Sequence, residues 1–183
     1  MKKFGIILAL LFICTFVGFS ASKSTASAKI SISKIRKQCS TEKKARKYMK
    51  KITFKVWDYK GKKKVTRVKS IYVHKAVAKR YKKAFDRIYK GKEKFPIHDV
   101  GGFDWRGSTK SLHSLGLAVD INSNENYLID GGRVMAGSLW KPKKNPYSIP
   151  KHGDVVKAMK KSGFKQCIWG NRRDYMHFSI GGY

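Results

Sequence analysis

The sequence predicts an α+β domain: a small antiparallel sheet with flanking helices. Three observations carry this. Segments in which apolar and polar residues alternate come in pairs joined by turn residues, as hairpins require. Two other segments carry apolar residues at helical spacing. The two kinds mix without strict strand–helix–strand alternation, which argues against a parallel sheet.

Taken in order, residues 29–50 are basic and polar, and Ser40 is placed to cap a short helix through Met49. Ile52 to Trp57 alternates, with Ile52, Phe54 and Val56 on one side, and reads as a strand. Asp58-Tyr59-Lys60-Gly61 reads as a turn, and Val65 to Val73 as the returning strand. From His74 to Tyr89 the spacing is helical: Val77, Tyr81, Ala84, Phe85 and Ile88 share a face, lysines and arginines cover the other, and Gly91 stops the helix. A second helix is expected over Asp154–Lys161, with Val155, Val156 and Met159 inward and Gly163 as its stop. Phe164 to Trp169 and Tyr175 to Ile180 read as strands around a Gly170-Asn171 turn.

A chain of 183 residues suggests one domain with a small extension, and a hydrophobic fraction of 42% is enough for a core. The expected divisions are a leader at 1–28, a basic extension with a hairpin at 29–70, and the main domain at 71–183. Lys2 and Lys3, the apolar run Phe4–Phe19 and the A-x-A site Ala26-Ser27-Ala28 have the layout of a secretory signal peptide. The alternative is a membrane anchor, but the run is shorter than the roughly 20 residues a span needs. Cys14 follows Ile13, not the small residue of a lipoprotein site. Export to the cell exterior or the wall is therefore the expectation, with the protein a monomer.

The formal charge is +31, and subtracting the three leader lysines leaves +28. Such a surface attracts polyanions. For an exported protein these would be anionic wall polymers or acidic head groups. The alternative is a solvated lysine surface with no dedicated partner. No nucleic-acid-binding motif accompanies the charge, so nucleic acid is not expected. Cys39 and Cys167 remain after the leader, and neither forms a C-x-x-C pair, so a cysteine-rich metal site is not supported.

The chemistry-bearing residues fall in two places. The first is Ser111-Leu112-His113-Ser114-Leu115-Gly116-Leu117-Ala118-Val119-Asp120, and the second is Asp174-Tyr175-Met176-His177-Phe178. Two histidines and one carboxylate are a common ligand set for catalytic zinc, whose fourth position takes water. Gly116 allows a tight turn between two short extended pieces, so His113 and Asp120 can meet, with His177 arriving from a separate strand. Zinc brings the pKa of water down to about 7 and polarises a carbonyl, and a carboxylate kept off the metal serves as general base. Asp120 as ligand and Asp174 as base satisfy this; spacing alone also permits the reverse. A calcium loop at Asp120–Glu125 is excluded, because Glu125 stands where glycine is required. His74, His98 and His152 read as structural, with His98 also near enough to the Gly101-Gly102 turn to line a cleft. Trp140, Trp169 and Tyr175 are candidates for walling the cleft or for the core.

The pattern Ser111-x-His113-x-x-Gly116-x-Ala118-x-Asp120, followed by Asp174-x-x-His177-Phe178, resembles the signature of the zinc D-alanyl-D-alanine carboxypeptidases and their relatives that cut peptidoglycan stem peptides. Phe95-Pro96-Ile97, Gly101-Gly102-Phe103-Asp104-Trp105-Arg106, Gly163-Phe164 and Trp169-Gly170 extend the likeness, which spans roughly Val73 to Tyr183. The resemblance implies a hedgehog-like fold, with zinc in a cleft on the sheet. It implies His113, Asp120 and His177 as ligands, Asp174 as base and Arg106 as the cation that stabilises the oxyanion. Ser111 is placed either to contact substrate or to support the turn, and Trp169 is a candidate substrate contact. Ser179 stands where many relatives carry glutamate, and Asp174 is shorter than the glutamate some use as base.

The implied function is removal of a terminal D-alanine. The alternatives are an endopeptidase cutting inside the stem peptide, such as at the L-alanyl–D-glutamate bond, and a cationic wall-binding module without turnover. A carboxypeptidase needs a cation for the free carboxylate, but 42 lysines and arginines make that residue invisible in the sequence.

Overall fold

The computed structural model describes residues 30–183; the expected leader and its cleavage site lie outside them. The elements are α1 (Ile32–Gln38), α2 (Glu42–Arg46), β1 (Met49–Lys60), β2 (Lys63–His74), α3 (Lys75–Lys90), β3 (Val100–Gly101), β4 (Ala118–Ile121), β5 (Leu128–Asp130), β6 (Arg133–Ala136), α4 (Asp154–Lys161), β7 (Lys165–Trp169) and β8 (Arg172–Ser179). The α+β class and the antiparallel pairing agree with the sequence.

Strands β1 and β2 form a two-stranded sheet that buries Ile52, Phe54, Val56, Ile71 and Val73. These side chains pack on α3, where Phe54 stacks on Phe85 with ring centroids 3.8 Å apart. All five residues expected on the inner face of α3 are buried, with Ala78 added. His74 caps this helix: its Nδ1 accepts from the Ala76 N–H at 3.2 Å. Burial, then the Lys75 charge, lowers the His74 pKa to about 4, so the ring is neutral and free to accept.

The second sheet has the order β3-β4-β8-β5-β6, with β7 also on β8. Strand β8 is its centre: β4 takes its C-terminal half, β5 its N-terminal half, and β7 runs along both. The Tyr81 hydroxyl lies 2.9 Å from the Leu117 carbonyl and 3.1 Å from the Phe178 carbonyl. One buried phenol thus ties α3 to the backbones of both β4 and β8.

Several expectations shift. The first short helix is capped by Thr41 rather than Ser40 and ends at Arg46, and α1, capped by Ser31, precedes it. Strand β1 runs through the expected turn to Lys60, because tertiary partners outweigh turn propensity there. Asp58 Oδ1 accepts from the Tyr147 hydroxyl at 2.9 Å, and Tyr59 packs edge-on against Tyr147. The chain turns at Gly61, φ +60. On α4, Ala158 is buried and Val156 only half so. Strand β2 crosses the 70/71 division without interruption. Cys39 and Cys167 are both buried free thiols.

Gly116 is the hinge of the segment that reaches β4. Its φ is +62, and a Cβ there would meet the His74 backbone nitrogen at 2.6 Å, with Met49 Sδ also in the way. The left-handed conformation and the close approach both demand glycine. We expect Gly116→Ala to cost at least about 2 kcal/mol, read as a lowered Tm by calorimetry, with zinc content falling in parallel.

Candidate metal centre

Three elements deliver the ligand atoms. His113 sits in the turn closed by Gly116 N–H to His113 carbonyl at 2.9 Å and Leu117 N–H to Leu112 carbonyl at 2.9 Å. Asp120 is on β4 and His177 on β8, directly opposite each other in the antiparallel register. His113 Nε2 lies 3.1 Å from His177 Nδ1 and 3.2 Å from an Asp120 carboxylate oxygen, and His177 Nδ1 lies 3.1 Å from the other. Both imidazoles are buried, and Asp120 is half-buried between them.

This spacing fits a metal ion. Zinc binds imidazole nitrogen and carboxylate oxygen at about 2.0–2.2 Å, so tetrahedral neighbours stand about 3.3–3.4 Å apart. The proton inventory agrees. His113 donates Nδ1–H to the Gly102 carbonyl at 2.8 Å, which leaves its Nε2 with a lone pair turned inward. His177 turns its Nδ1 toward the other two groups, and its Nε2 is buried with no hydrogen-bond partner among the described residues. Burial opposes charge on Asp120, but hydrogen bonds and attraction from His113 and His177 outweigh it and hold the carboxyl well below the usual range. Burial likewise opposes charge on His113, and Asp120 and the Gly102 carbonyl push its pKa up nonetheless.

A cleft of about 240 Å³ opens onto these atoms, lined also by Arg106, Lys110, Ser111, Asp174 and Arg172. Asp174 and His177 are three apart on β8 and would face opposite sides of a regular strand. The β7 ladder pairs Gln166 with Phe178 and then Cys167 with Asp174, skipping Tyr175–His177. That irregularity re-aims the strand so that both side chains reach one cleft. Asp174 is 7% exposed, its Oδ1 has no hydrogen-bond partner, and burial raises its pKa to about 6. A larger depression of about 560 Å³ is lined by Glu42, Arg46, Tyr72 and Gly102–Trp105, and among the described residues it brings no second group of ligand atoms together.

Residues 102–180 match the family model described as D-alanyl-D-alanine carboxypeptidase. The match spans both metal-bearing segments, His113–Asp120 and Asp174–His177. The match and the His113, Asp120 and His177 group mark the chain as a zinc metallopeptidase, and at family level the match supports action on peptidoglycan. No curated protein and no solved structure matches the chain.

The remaining residues singled out in the peptidase sequence fall as follows. Arg106 is half-exposed; its Nε donates to Asp104 at 3.1 Å and its Nη2 is 4.0 Å from Asp120. Ser111 lines the cleft while its Oγ accepts from the His113 N–H at 3.2 Å. Trp169 does not line the cleft. It is 58% exposed at the end of β7, over a separate depression, because it pairs with Arg172 beside the Gly170 turn and projects past the sheet. Trp140 and Tyr175 stack on each other at 3.8 Å as packing. His98 binds Glu125 at 2.8 Å rather than the cleft. Ser179 ties down the C-terminal turn: its Oγ accepts from Gly182 N–H at 2.9 Å. Lys110, Cys167, Arg172 and Tyr183 line the cleft without having been picked out from the sequence. Only their closeness to the two motifs could have signalled Lys110 and Arg172.

The Asp174 environment predicts a stability effect. A folded-state pKa near 6 lies above the ordinary carboxylate value, so the fold favours the neutral acid. That contribution is complete below about pH 4 and is lost as pH rises through about 6. In chelator-treated protein, Asp174→Asn should match the unsubstituted chain in Tm at pH 4. It should exceed it at pH 7 by the equivalent of about 1–3 kcal/mol.

Proposed function

We propose that this protein is an exported zinc carboxypeptidase that removes the terminal D-alanine from peptidoglycan stem peptides. The observation that carries the reading is the convergence of His113, Asp120 and His177 in one cleft that Asp174 and Arg106 also line. In this reading the three converging residues hold zinc, which supplies water of lowered pKa and a Lewis acid for the scissile carbonyl.

The other steps belong to the protein. Asp174 takes a proton from the attacking water and returns it to the leaving amine. Its burial suits it to both, since a carboxyl near pKa 6 accepts and donates around neutral pH. Arg106 places a guanidinium at the mouth of the cleft, where negative charge develops on the carbonyl oxygen. Ser111 already accepts from the His113 backbone, so its hydroxyl hydrogen is available to a substrate carbonyl. Asp120 stays ionised between the imidazoles and does not compete for the proton. The reading includes a hedgehog-like arrangement of the domain, a monomer at the cell wall, and attraction of the basic surface to anionic wall polymers.

Two measurements test it. His113→Ala and His177→Ala should each abolish zinc binding by elemental analysis and all turnover. Asp174→Ala should keep the metal while kcat falls roughly 10²–10⁴-fold. Loss of zinc from Asp174→Ala but not from Asp120→Ala would reverse the two roles. Digestion of defined muropeptides should release a single alanine by mass; an internal cut between L-alanine and D-glutamate would reassign the enzyme as an endopeptidase.

A further inference from the structure

Of the 42 lysines and arginines, three line the cleft: Arg106, Lys110 and Arg172. Two of them are committed. Arg106 donates to Asp104 at 3.1 Å and leans on Asp120 at 4.0 Å. Arg172 is bound to Asp130 at 2.9 Å. Lys110 is the third. Its backbone N–H reaches the Ser108 hydroxyl at 3.4 Å, but among the described residues its ammonium has neither an ion pair nor a hydrogen bond. It stands three residues before His113, at the base of the turn that presents a metal ligand. An unpartnered ammonium beside a metal-binding pocket is a site for an anionic group of the substrate.

The chemistry of the stem peptide limits which group this can be. A terminal D-alanine bears a free α-carboxylate one residue beyond the scissile bond. A D-glutamate linked through its side chain also bears a free α-carboxylate, on the leaving side of an L-alanyl–D-glutamate bond. Resting on the peptidase reading above, we propose that Lys110 is a specificity residue that recognises a free α-carboxylate on the residue released by the cut. The contact is a charge-assisted hydrogen bond from the ammonium to that carboxylate, and amidation of the carboxylate removes it. Arg106 serves the carbonyl under attack and Lys110 the leaving residue.

The test uses the zinc-loaded full chain and synthetic L-Ala-γ-D-Glu-L-Lys-D-Ala-D-Ala in four forms. The C-terminal carboxyl is free or amidated, and the D-glutamate α-carboxyl is free or amidated. Lys110→Met keeps the length of the side chain and removes its charge; Lys110→Arg restores a cation. The expected result is that Lys110→Met lowers kcat/KM roughly 10- to 100-fold, mainly through KM, on the free-acid form of one carboxylate. Its rate on the matching amide should equal that of the unsubstituted enzyme, its zinc content should be unchanged, and Lys110→Arg should recover most of the loss. Sensitivity to the C-terminal amide assigns the carboxylate to terminal D-alanine; sensitivity to the glutamate amide assigns it to D-glutamate. Equal losses on acid and amide, or no loss on either, overturn the role of Lys110 while leaving the peptidase intact. If the unsubstituted zinc-loaded enzyme cleaves none of the four peptides, the peptidase reading fails and takes this assignment with it.

Discussion

Two imidazole nitrogens and a carboxylate, all electron-rich, are held within about one hydrogen-bond length of each other in a mostly buried pocket. Three such groups repel unless a cation is shared among them. One proton on His177 Nδ1 serves only part of this need, because His113 has turned its own N–H outward to Gly102. The fold imposes the arrangement through three separate constraints. The β4–β8 register sets Asp120 across from His177, the left-handed Gly116 brings His113 back beside them, and the Tyr81 hydroxyl clamps the backbones on either side. A divalent cation satisfies all three groups at once, and the packing then works with the electrostatics.

The same cleft treats its two carboxylates oppositely. Asp120 lies between two imidazoles and is held ionised. Asp174 is buried, leaves one oxygen without a donor and is pushed toward the acid form. Divergent environments for two nearby carboxyls separate a permanent ligand from a proton carrier. The separation depends on the skipped ladder opposite Tyr175–His177: with regular pairing, Asp174 would point away from His177 and only one acid would remain in the cleft.

What could be read from the sequence was what periodicity and residue chemistry determine locally. The inner face of α3 follows from spacing alone, and the metal ligands follow from residue type plus one glycine. The β5–β6 hairpin was legible in principle, since Asp130-Gly131-Gly132 between short apolar pairs is a hairpin signal and both glycines have positive φ. Other features were set by partners distant in the chain. Strand β1 continues past Trp57 because Tyr147 reaches Asp58 and Tyr59. Trp169 leaves the cleft because its strand ends at an exposed turn. No cation could be selected from the 42 lysines and arginines, because what distinguishes Lys110 is that it lines the cleft and has no ion pair there, a property of the folded surface.

The segment that matches the peptidase family, 102–180, is not mechanically complete by itself. Its two metal-bearing strands pair directly, but they are also bridged by the hydroxyl of Tyr81, which belongs to α3, and the ring of Tyr81 stacks on Phe164 at 3.8 Å. Helix α3 in turn owes its opposite contacts to Phe54, Ile52 and Val56 of the basic hairpin, which share one buried cluster with Leu117, Val119 and Phe178. Gly102, whose carbonyl fixes the His113 tautomer, lies against the Tyr72 carbonyl so closely that a Cβ would not fit. Residues outside the matched segment therefore set the backbone positions from which the ligands project. The hairpin's exposed face is free to carry lysines because its buried face is occupied in holding the metal strands in register.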